Sequence, residues 1–290
     1  MIKKMYSKYL LILCFLIIPS KIFAYSWDQK TSDKEITKFY DFSKMPNYYL
    51  PHKYNTTKKA AVIENGVLKL TVKPGMRGSS GDKKCKCRER AELGFRTPIN
   101  GTTYYSFKFR TDGDGKSNTR DENGDHVRTM IAQIKPKPNE GSPPMAVYLE
   151  KGGSVKCLEY EKNSADTKSK RIKESQKANQ SGVGSIRVSG IKKTYRVNKI
   201  KRLLGIDLKD GNWHKIEMTY KPSNTDGYCK IVIDGRTILE KSGIDNIVAK
   251  KQFYIKPTIG IYRDNLPYSQ TVYFDDLTIK FTPEWIVLLE

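Results

Sequence analysis

Hydrophobic and polar side chains alternate along residues 252–264, which read QFYIKPTIGIYRD. One face of an extended strand would carry three isoleucines, Ile255, Ile259 and Ile261. The other face would carry four side chains with polar groups, Tyr254, Lys256, Thr258 and Tyr262. A period of two is typical of a strand that packs one face against a core. The stretch therefore predicts a strand with an apolar inner face and a polar outer face.

Two earlier stretches alternate in the same way, residues 88–96 (RERAELGFR) and residues 130–135 (MIAQIK). The predicted apolar faces carry Ala91, Leu93 and Phe95 in the first stretch and Met130, Ala132 and Ile134 in the second. The opposite faces carry Arg88, Arg90, Glu92 and Arg96 in the first stretch and Ile131, Gln133 and Lys135 in the second. An ordinary half-exposed sheet also alternates, so the pattern is compatible with a plain solvated face and with a binding or catalytic face.

Turn signals divide much of the remaining chain into short strands. Asn65-Gly66 and Asp234-Gly235 each separate two strand-like runs, as two-residue hairpin turns do. Many short strands without an amphipathic helix or an internal repeat predict a single antiparallel β-sandwich over residues 25–290. Residues 162–201, rich in Lys, Ser, Asn and Gly, are too polar for a core. We predict that this basic insertion is a mobile flap or a long hairpin at the edge of a cleft.

The first 24 residues have the pattern of a secretory signal peptide. A lysine-containing start precedes the apolar run Tyr9–Pro19, and Ile22-Phe23-Ala24 offers a cleavage site. The apolar run is too short to cross a bilayer. We therefore expect a secreted or periplasmic protein without a membrane anchor.

The basic charge of the chain favours a polyanionic partner. The formal net charge is +22 at pH 7, and loss of the four lysines in the signal peptide would leave +18. Such an excess attracts acidic polysaccharides, nucleic acids and anionic membrane surfaces, although a lysine-rich proteome gives the same excess without any such partner. No nucleic-acid-binding module is recognisable in the sequence, so we expect no specific nucleic-acid partner.

Four cysteines follow the signal peptide, Cys85, Cys87, Cys157 and Cys229. We predict bridges from Cys85 or Cys87 to Cys157 or Cys229, because two cysteines so close on a strand do not pair easily with each other. Asp275 lies in phase with apolar neighbours on a predicted strand. This phase predicts a buried acid, either a structural calcium ligand or a hydrogen-bonded core group.

Three motifs, Arg90-Ala-Glu-Leu93, Gln133-Ile-Lys135 and Tyr254 to Tyr262, together resemble the signature strands of the jelly-roll polysaccharide lyases. The similarity is to the alginate-lyase-like, glucuronan-lyase-like and heparin-lyase-like groups. It implies an all-β jelly roll of the concanavalin A-like type with a concave substrate cleft. It also implies that an acidic, uronate-containing polysaccharide is cleaved by β-elimination. The alternative is a non-catalytic, lectin-like module that binds acidic glycans on the same face.

The resemblance also implies roles for individual residues. Arg90 and Gln133 would neutralise the uronate carboxylate, and Tyr262 would act as the acid or as both base and acid. Lys135 stands where the family has a histidine, so it would act as the base or join the neutralising group. His126 is the weaker substitute for that histidine.

Further expectations follow from the same resemblance. The other residues expected to bind substrate are Arg88, Lys256, Tyr254, Arg96 and His126. The chemistry requires no cofactor, so calcium at Asp275 would be structural, and we expect a monomer. Pro257-Thr258 is an insertion relative to the family's third motif, and we expect it to bulge the strand.

Overall fold

The computed structural model describes residues 36–40, 53–54, 60–78, 83, 86–95, 97–98, 101–112, 127–137, 142–160, 191–247 and 254–283. They lie in one compact unit, Ser32–Glu290. Most of these residues are in strands, and no helix within these ranges has the length and apolar character needed to cross a membrane.

The described strands, in chain order, are β1 (Ile36–Tyr40), β2 (Lys53–Tyr54), β3 (Ala61–Glu64), β4 (Val67–Val72), β5 (Arg88–Gly94), β6 (Thr97–Pro98), β7 (Gly101–Thr111), β8 (Thr129–Lys137), β9 (Met145–Tyr148), β10 (Ser154–Tyr160), β11 (Ile191–Asn198), β12 (His214–Lys221), β13 (Gly227–Ile233), β14 (Arg236–Ile244), β15 (Tyr254–Asp264) and β16 (Gln270–Pro283). A 3₁₀ turn, Glu150–Gly152, precedes β10, and a short helix, α1 (Ile200–Leu204), follows β11.

The strands form two antiparallel sheets. Sheet A has the order β14-β13-β12-β7-β16-β4-β3, and β1 also pairs with β16. Sheet B has the order β11-β10-β9-β8-β15-β5-β2, and β6 also pairs with β15. One hydrophobic cluster takes residues from both sheets, such as Phe107 and Phe274 from sheet A and Ile134 and Ile255 from sheet B. The predicted antiparallel β-sandwich is therefore confirmed.

Both predicted hairpins are present, β3–β4 and β13–β14. Their turn residues have positive φ angles, +51° and +78° at Asn65 and Gly66, and +49° and +76° at Asp234 and Gly235. This left-handed pair is the type I′ geometry whose twist matches that of the flanking strands, which explains why Asn-Gly and Asp-Gly predict the hairpins correctly.

A disulfide joins the two sheets through the core. Cys157 on β10 bonds to Cys229 on β13, and both side chains are fully buried. The predicted pairing of Cys157 or Cys229 with Cys85 or Cys87 is therefore wrong. The two bonded cysteines lie on the inner faces of opposite sheets with their Cα atoms 6.6 Å apart, within bridging distance. Cys87 is disulfide-bonded as well, and Cys85 lies outside the described residues.

The three stretches that alternate in the sequence are neighbours in sheet B. The order β8-β15-β5 places β15 in the middle, as its two equipped faces require. Tyr262 pairs with Arg90 on β5, and Lys256 pairs with Lys135 on β8. Side chains from residues paired across strands point to the same side of a sheet, so the predicted polar faces of the three strands combine into one.

A bulge in β15 brings Tyr262 back to this face. The register of β15 with β8 shifts between Ile259 and Tyr262, and Gly260 has a φ of +139°. A Cβ on Gly260 would lie 2.2 Å from the carbonyl oxygen of Ala91, so only glycine fits there. A bulge is thus present, but not at Pro257-Thr258, where both residues keep regular pairing with β8.

A second register shift corrects the predicted faces of β8. Met130 pairs with Tyr148 and Ala132 pairs with Val147, so Ile131 is an extra residue in β8. Ile131 lies in the main core, whereas Met130 packs beside Tyr262 on the other side of the sheet. The expectation that Met130 faces the core and Ile131 faces outward is wrong because the bulge exchanges their sides.

The end of the predicted insertion 162–201 is part of the sandwich. Strand β11 pairs antiparallel with β10 as the last strand of sheet B, which favours the hairpin over the flap for this portion. Tyr195 and Val197 pack on the core, although lysines surround them in the sequence. Residues 161–190 lie outside the described residues.

Asp275 is half-buried, so the prediction of a buried acid is wrong. A register shift in β16 between Asp275 and Thr278 changes the phase of the strand, and Asp276 has a φ of +50°. The Asp275 carboxylate accepts a hydrogen bond from the Asp276 N–H at 2.8 Å. In the described part of the chain no group of three or more His, Cys, Asp or Glu side chains is placed to hold a metal ion.

Candidate active site

Six strands of sheet B contribute to the face that is turned away from sheet A. We call it the polar face and define it by Arg88, Arg90, Glu92, Gln133, Lys135, Tyr148, Lys156, Arg196, Lys256, Thr258 and Tyr262. Six of these eleven side chains are cationic and one is acidic. Such a face attracts an anionic ligand and disfavours a cationic one.

Tyr262 occupies a position where four cations converge. The guanidinium of Arg90 lies 3.8 Å from the centre of the Tyr262 ring, and that of Arg128 lies 5.0 Å away. The Lys135 ammonium is 5.5 Å from the same centre. Arg88 donates a hydrogen bond of 2.5 Å to the Tyr262 hydroxyl oxygen. The phenol oxygen therefore accepts from a guanidinium and keeps its own proton for a second partner.

Asp264 holds the two outer arginines of this group. Its carboxylate accepts a hydrogen bond of 2.6 Å from Arg128 and lies 3.7 Å from Nε of Arg88. All three side chains are partly exposed. Because one carboxylate is shared between two guanidinium groups, the arginines keep positive charge to offer to a ligand.

Glu92 is the buried acceptor for the inner part of the polar face. Its side chain is only 3% exposed, and Oε2 accepts from Lys135 at 3.0 Å and from Arg90 at 3.3 Å. The Gln133 amide donates a short hydrogen bond to the other carboxylate oxygen. Gln133 Oε1 is buried and has no hydrogen-bond partner among the described residues. Glu92 thus fixes three of the four residues that the sequence assigns to the chemistry.

The sequence prediction left Glu92 out of the site. Its position in the Arg90-Ala-Glu-Leu motif was the available signal, since Glu92 shares the outer phase with Arg90. An acid beside several cations is usually an ordinary surface ion pair. Only the strand order shows that the donors from β5 and β8 meet at this one buried carboxylate.

Lys256 and Lys135 face each other across β15 and β8. Both are mostly buried, and the Lys256 stem lies over Gly94, where a Cβ would come within 3.0 Å of Lys256 Cε. Like charges directly opposite on a sheet repel each other. A bound anion between the two ammonium groups would relieve that repulsion, in agreement with the predicted role of Lys256 in substrate binding.

A second aromatic and cationic group adjoins Tyr262 on β9, β10 and β11. The buried Tyr148 ring packs with Tyr262 and lies 5.2 Å from the Arg196 guanidinium and 5.6 Å from the Lys156 ammonium. Burial raises the pKa of Tyr148 far above its ordinary value, so the phenol stays protonated. Burial, and to a smaller extent Arg128 and Arg196, lowers the pKa of Lys156 to about 8. None of these three residues is among the sequence-predicted site residues.

Three of the predicted binding residues are not placed by the structure. Arg96 and His126 lie outside the described residues. Tyr254 is described by its backbone alone, which pairs with Lys137 and Pro98. The remaining predicted residues of the site, apart from Asp275, all meet on the polar face.

His214 lies on sheet A, away from this face. Its ring nitrogens contact the carboxylates of Asp234 at 2.7 Å and Asp210 at 3.1 Å. Burial alone would lower its pKa, but the hydrogen bonds and charges of the two carboxylates outweigh burial, so the pKa of His214 is raised. Asp234 also accepts from the Lys215 N–H, so this group ties a hairpin turn to the start of β12.

A two-sheet antiparallel sandwich with a tyrosine, cations and an amide on one sheet face is the architecture of the jelly-roll carbohydrate-active enzymes. Residues 25–278 match the model of the family described as Polysaccharide lyase. The chain belongs to this family, and it is a polysaccharide lyase. The resemblance of the three motifs is thereby confirmed.

Solved structures share the fold. One is a mutant of the alginate lyase Aly36B in complex with alginate tetrasaccharide, at 13% identity and a TM-score of 0.52, covering 86% of this chain and 98% of that chain. Another is an endo-β-1,4-glucuronan lyase from the fungus Trichoderma reesei, at 14% identity and a TM-score of 0.49, covering 85% of this chain and 87% of that chain. Comparison with curated proteins finds no match.

Proposed function

We propose that this polysaccharide lyase cleaves an acidic, uronate-containing polysaccharide by β-elimination on the polar face of sheet B. The observation that carries the proposal is the position of Tyr262, whose hydroxyl contacts Arg88 while Arg90, Arg128 and Lys135 surround its ring. The alginate and glucuronan named for the solved structures are both uronate polymers, which supports this substrate class.

The reaction requires three functions from the protein. A uronate's C5 proton is weakly acidic while its carboxylate is charged, so cationic groups must stabilise the charge that develops on the carboxylate. A base then takes the C5 proton, the electron pair forms the C4=C5 double bond, and the C4–O4 bond breaks. An acid protonates the departing O4 oxygen.

The contacts on the polar face favour Tyr262 as both base and acid. Lys135 is in an ion pair with Glu92, and an ammonium has no lone pair with which to take a proton. We therefore place Lys135 with Arg90 in the group that neutralises the carboxylate. Arg88 and Arg128 stabilise negative charge on the Tyr262 oxygen after it has released its proton.

Gln133 has a supporting role in this scheme. Its amide N–H donates to Glu92, which also holds Arg90 and Lys135. The second N–H of the same amide is the donor that Gln133 offers toward the substrate carboxylate. The chemistry proposed here uses only these side chains, so no cofactor is required.

The test is a panel of alginate, polyglucuronate, hyaluronan, chondroitin and heparin. Cleavage by β-elimination produces a conjugated, unsaturated uronate whose ultraviolet absorbance rises with each bond broken. We expect a rise with at least one polysaccharide, and a fall in turnover by ~10² to 10⁴ in Tyr262→Phe, the usual contribution of a positioned acid or base.

Tyr104→Phe is the matched control. Tyr104 lies on sheet A and donates a hydrogen bond of 2.5 Å to Glu217, so the variant loses a similar contact far from the polar face. Binding of a polysaccharide without any rise in absorbance would favour the lectin-like alternative. Turnover within a few-fold of wild type in Tyr262→Phe, combined with loss of turnover in Lys135→Met, would transfer the proton-transfer role to Lys135.

We also propose that the enzyme acts outside the cytoplasm. The basic and apolar pattern of residues 1–24 supports export, and the Cys157–Cys229 bridge is compatible with an oxidising compartment. Appearance of the mature protein in the periplasmic or culture fraction, with an N-terminus after Ala24, would be the expected result. Retention of the full chain in the cytoplasm would contradict it.

A further inference from the structure

Lys156 is a half-buried cation on the polar face that no described carboxylate neutralises. It lies on β10, pairs with Arg196 on β11 and Ala146 on β9, and forms no ion pair with any residue that the structure describes. The ammonium lies 5.6 Å from the centre of the Tyr148 ring. A lysine removed from water without a counter-charge lowers the stability of the folded state.

The charged groups around Lys156 add to the positive charge. Arg196 is directly opposite, and both Arg196 and Arg128 act on Lys156 as like charges. Glu150 is the one acid that acts on it in the opposite sense. Its carboxylate already accepts from Arg196 at 2.9 Å and from the Thr129 N–H at 3.2 Å. One engaged carboxylate among three cations leaves a site that is complementary to an anion.

The Tyr148 ring separates this group from Tyr262. Tyr148, Met130 and Tyr262 pack together and are paired in register across β9, β8 and β15. Three strand spacings lie between β15 and β10, which corresponds to ~14 Å. This distance is longer than one pyranose ring, so an anionic group near Lys156 belongs to a different sugar residue from the one that reacts at Tyr262.

We propose that Lys156, Arg196 and the Tyr148 ring form a second subsite, which binds the acidic group of another sugar residue in the same polysaccharide chain. The proposal rests on the proposed function and adds that the preferred substrate carries anionic groups on more than one sugar unit. Arg196 is held in place by Glu150 and by the Ser154 hydroxyl at 3.2 Å, and Tyr148 supplies an apolar surface for a sugar ring. The lowered pKa of Lys156 agrees with a cation whose partner arrives with the ligand.

The variant Lys156→Met tests the subsite because it keeps the apolar stem and removes the charge. With polyglucuronate, or whichever long polysaccharide of the panel is cleaved, we expect KM to rise ~10- to 100-fold, the usual effect of losing a hydrogen bond to a charged group. We expect kcat to stay within a few-fold and the urea midpoint to stay equal or rise. A lysine with a merely structural role would instead lower the midpoint when replaced.

Lys192→Met is the matched control, because Lys192 lies on β11, is exposed and is already paired with Glu159 at 2.6 Å. Its KM should stay within about two-fold of wild type. The shortest oligosaccharides that are still cleaved should not distinguish Lys156→Met from wild type, since they do not reach from Tyr262 to Lys156.

The outcomes separate this proposal from the proposed function. If wild type cleaves no polysaccharide, the proposed function fails, and the subsite is then tested by the Kd for heparin and polyglucuronate, which should be weaker in Lys156→Met alone. An unchanged KM on long substrate, an unchanged Kd, a lower kcat with unchanged KM, or a lower urea midpoint in Lys156→Met would each overturn the subsite.

Discussion

Replacement of Glu92 by glutamine removes the charge that holds the inner polar face together while keeping the shape of the side chain. The Glu92 carboxylate is 3.0 Å from Lys135 and 3.3 Å from Arg90, and all three side chains are mostly buried. At an effective dielectric constant of ~20, each contact corresponds to about 5 kcal/mol of Coulomb attraction, much of which offsets the desolvation of the charges. Because two buried cations lose this counter-charge, we expect Glu92→Gln to lose ~3 kcal/mol of unfolding free energy.

Urea unfolding and turnover measure the two consequences of this change. A loss of ~3 kcal/mol lowers the urea midpoint by about 1 M at an m value of ~3 kcal/mol/M. Turnover should fall by ~10- to 100-fold, because Arg90 and Lys135 are no longer fixed where the substrate carboxylate binds. Glu217→Gln is the control, since Glu217 also accepts from a tyrosine and a lysine but is more exposed, and it should lose under ~1 kcal/mol. A Glu92→Gln variant with the midpoint and turnover of wild type would refute the role assigned to this carboxylate.

Three further predictions concern the sandwich around the site. The double variant Cys157→Ala/Cys229→Ala should lose about 4 kcal/mol because the bridge closes a loop of 72 residues, and reduction of wild type should lower the urea midpoint similarly without changing kcat at low temperature. The raised pKa of His214 means that its contribution to stability is complete below pH ~6.5 and is lost as the pH rises through the folded-state pKa, so His214→Asn should flatten this part of the stability profile. Gly260→Ala should lose ~3 kcal/mol or more in urea unfolding, because its Cβ would meet the Ala91 carbonyl at a φ of +139°, and wild-type stability would contradict the bulge.

The alternation of side chains predicts the strands of the site well because the period of two depends only on the local backbone. Residues 88–96, 130–135 and 252–264 contain the three central strands of sheet B, and their polar positions meet as expected. The bulges at Gly260 and Ile131 were not located correctly from sequence, since a bulge is defined by the register with a neighbouring strand. This is why Met130, apolar and in the expected phase, lies on the opposite face.

Contacts between distant segments are the part of the site that the sequence does not show. Glu92 and Lys135 are 43 residues apart, and their ion pair depends on β15 lying between β5 and β8. Lys156 and Arg196 lie in stretches without a recognisable motif, so only their pairing across β10 and β11 identifies them. The Cys157–Cys229 bridge likewise depends on which strands of the two sheets face each other through the core.

The disulfide also determines what a protease can do to this chain. The bridge encloses every residue between Cys157 and Cys229, including the lysine-rich segment 161–190, which contains many bonds that trypsin recognises. A single cut in this segment would therefore leave two polypeptides that remain covalently joined, with β10 on one piece and β11 on the other. Such a nicked enzyme would migrate as one band on a gel until it is reduced, and both pieces would still contribute strands to the sheet that carries the site.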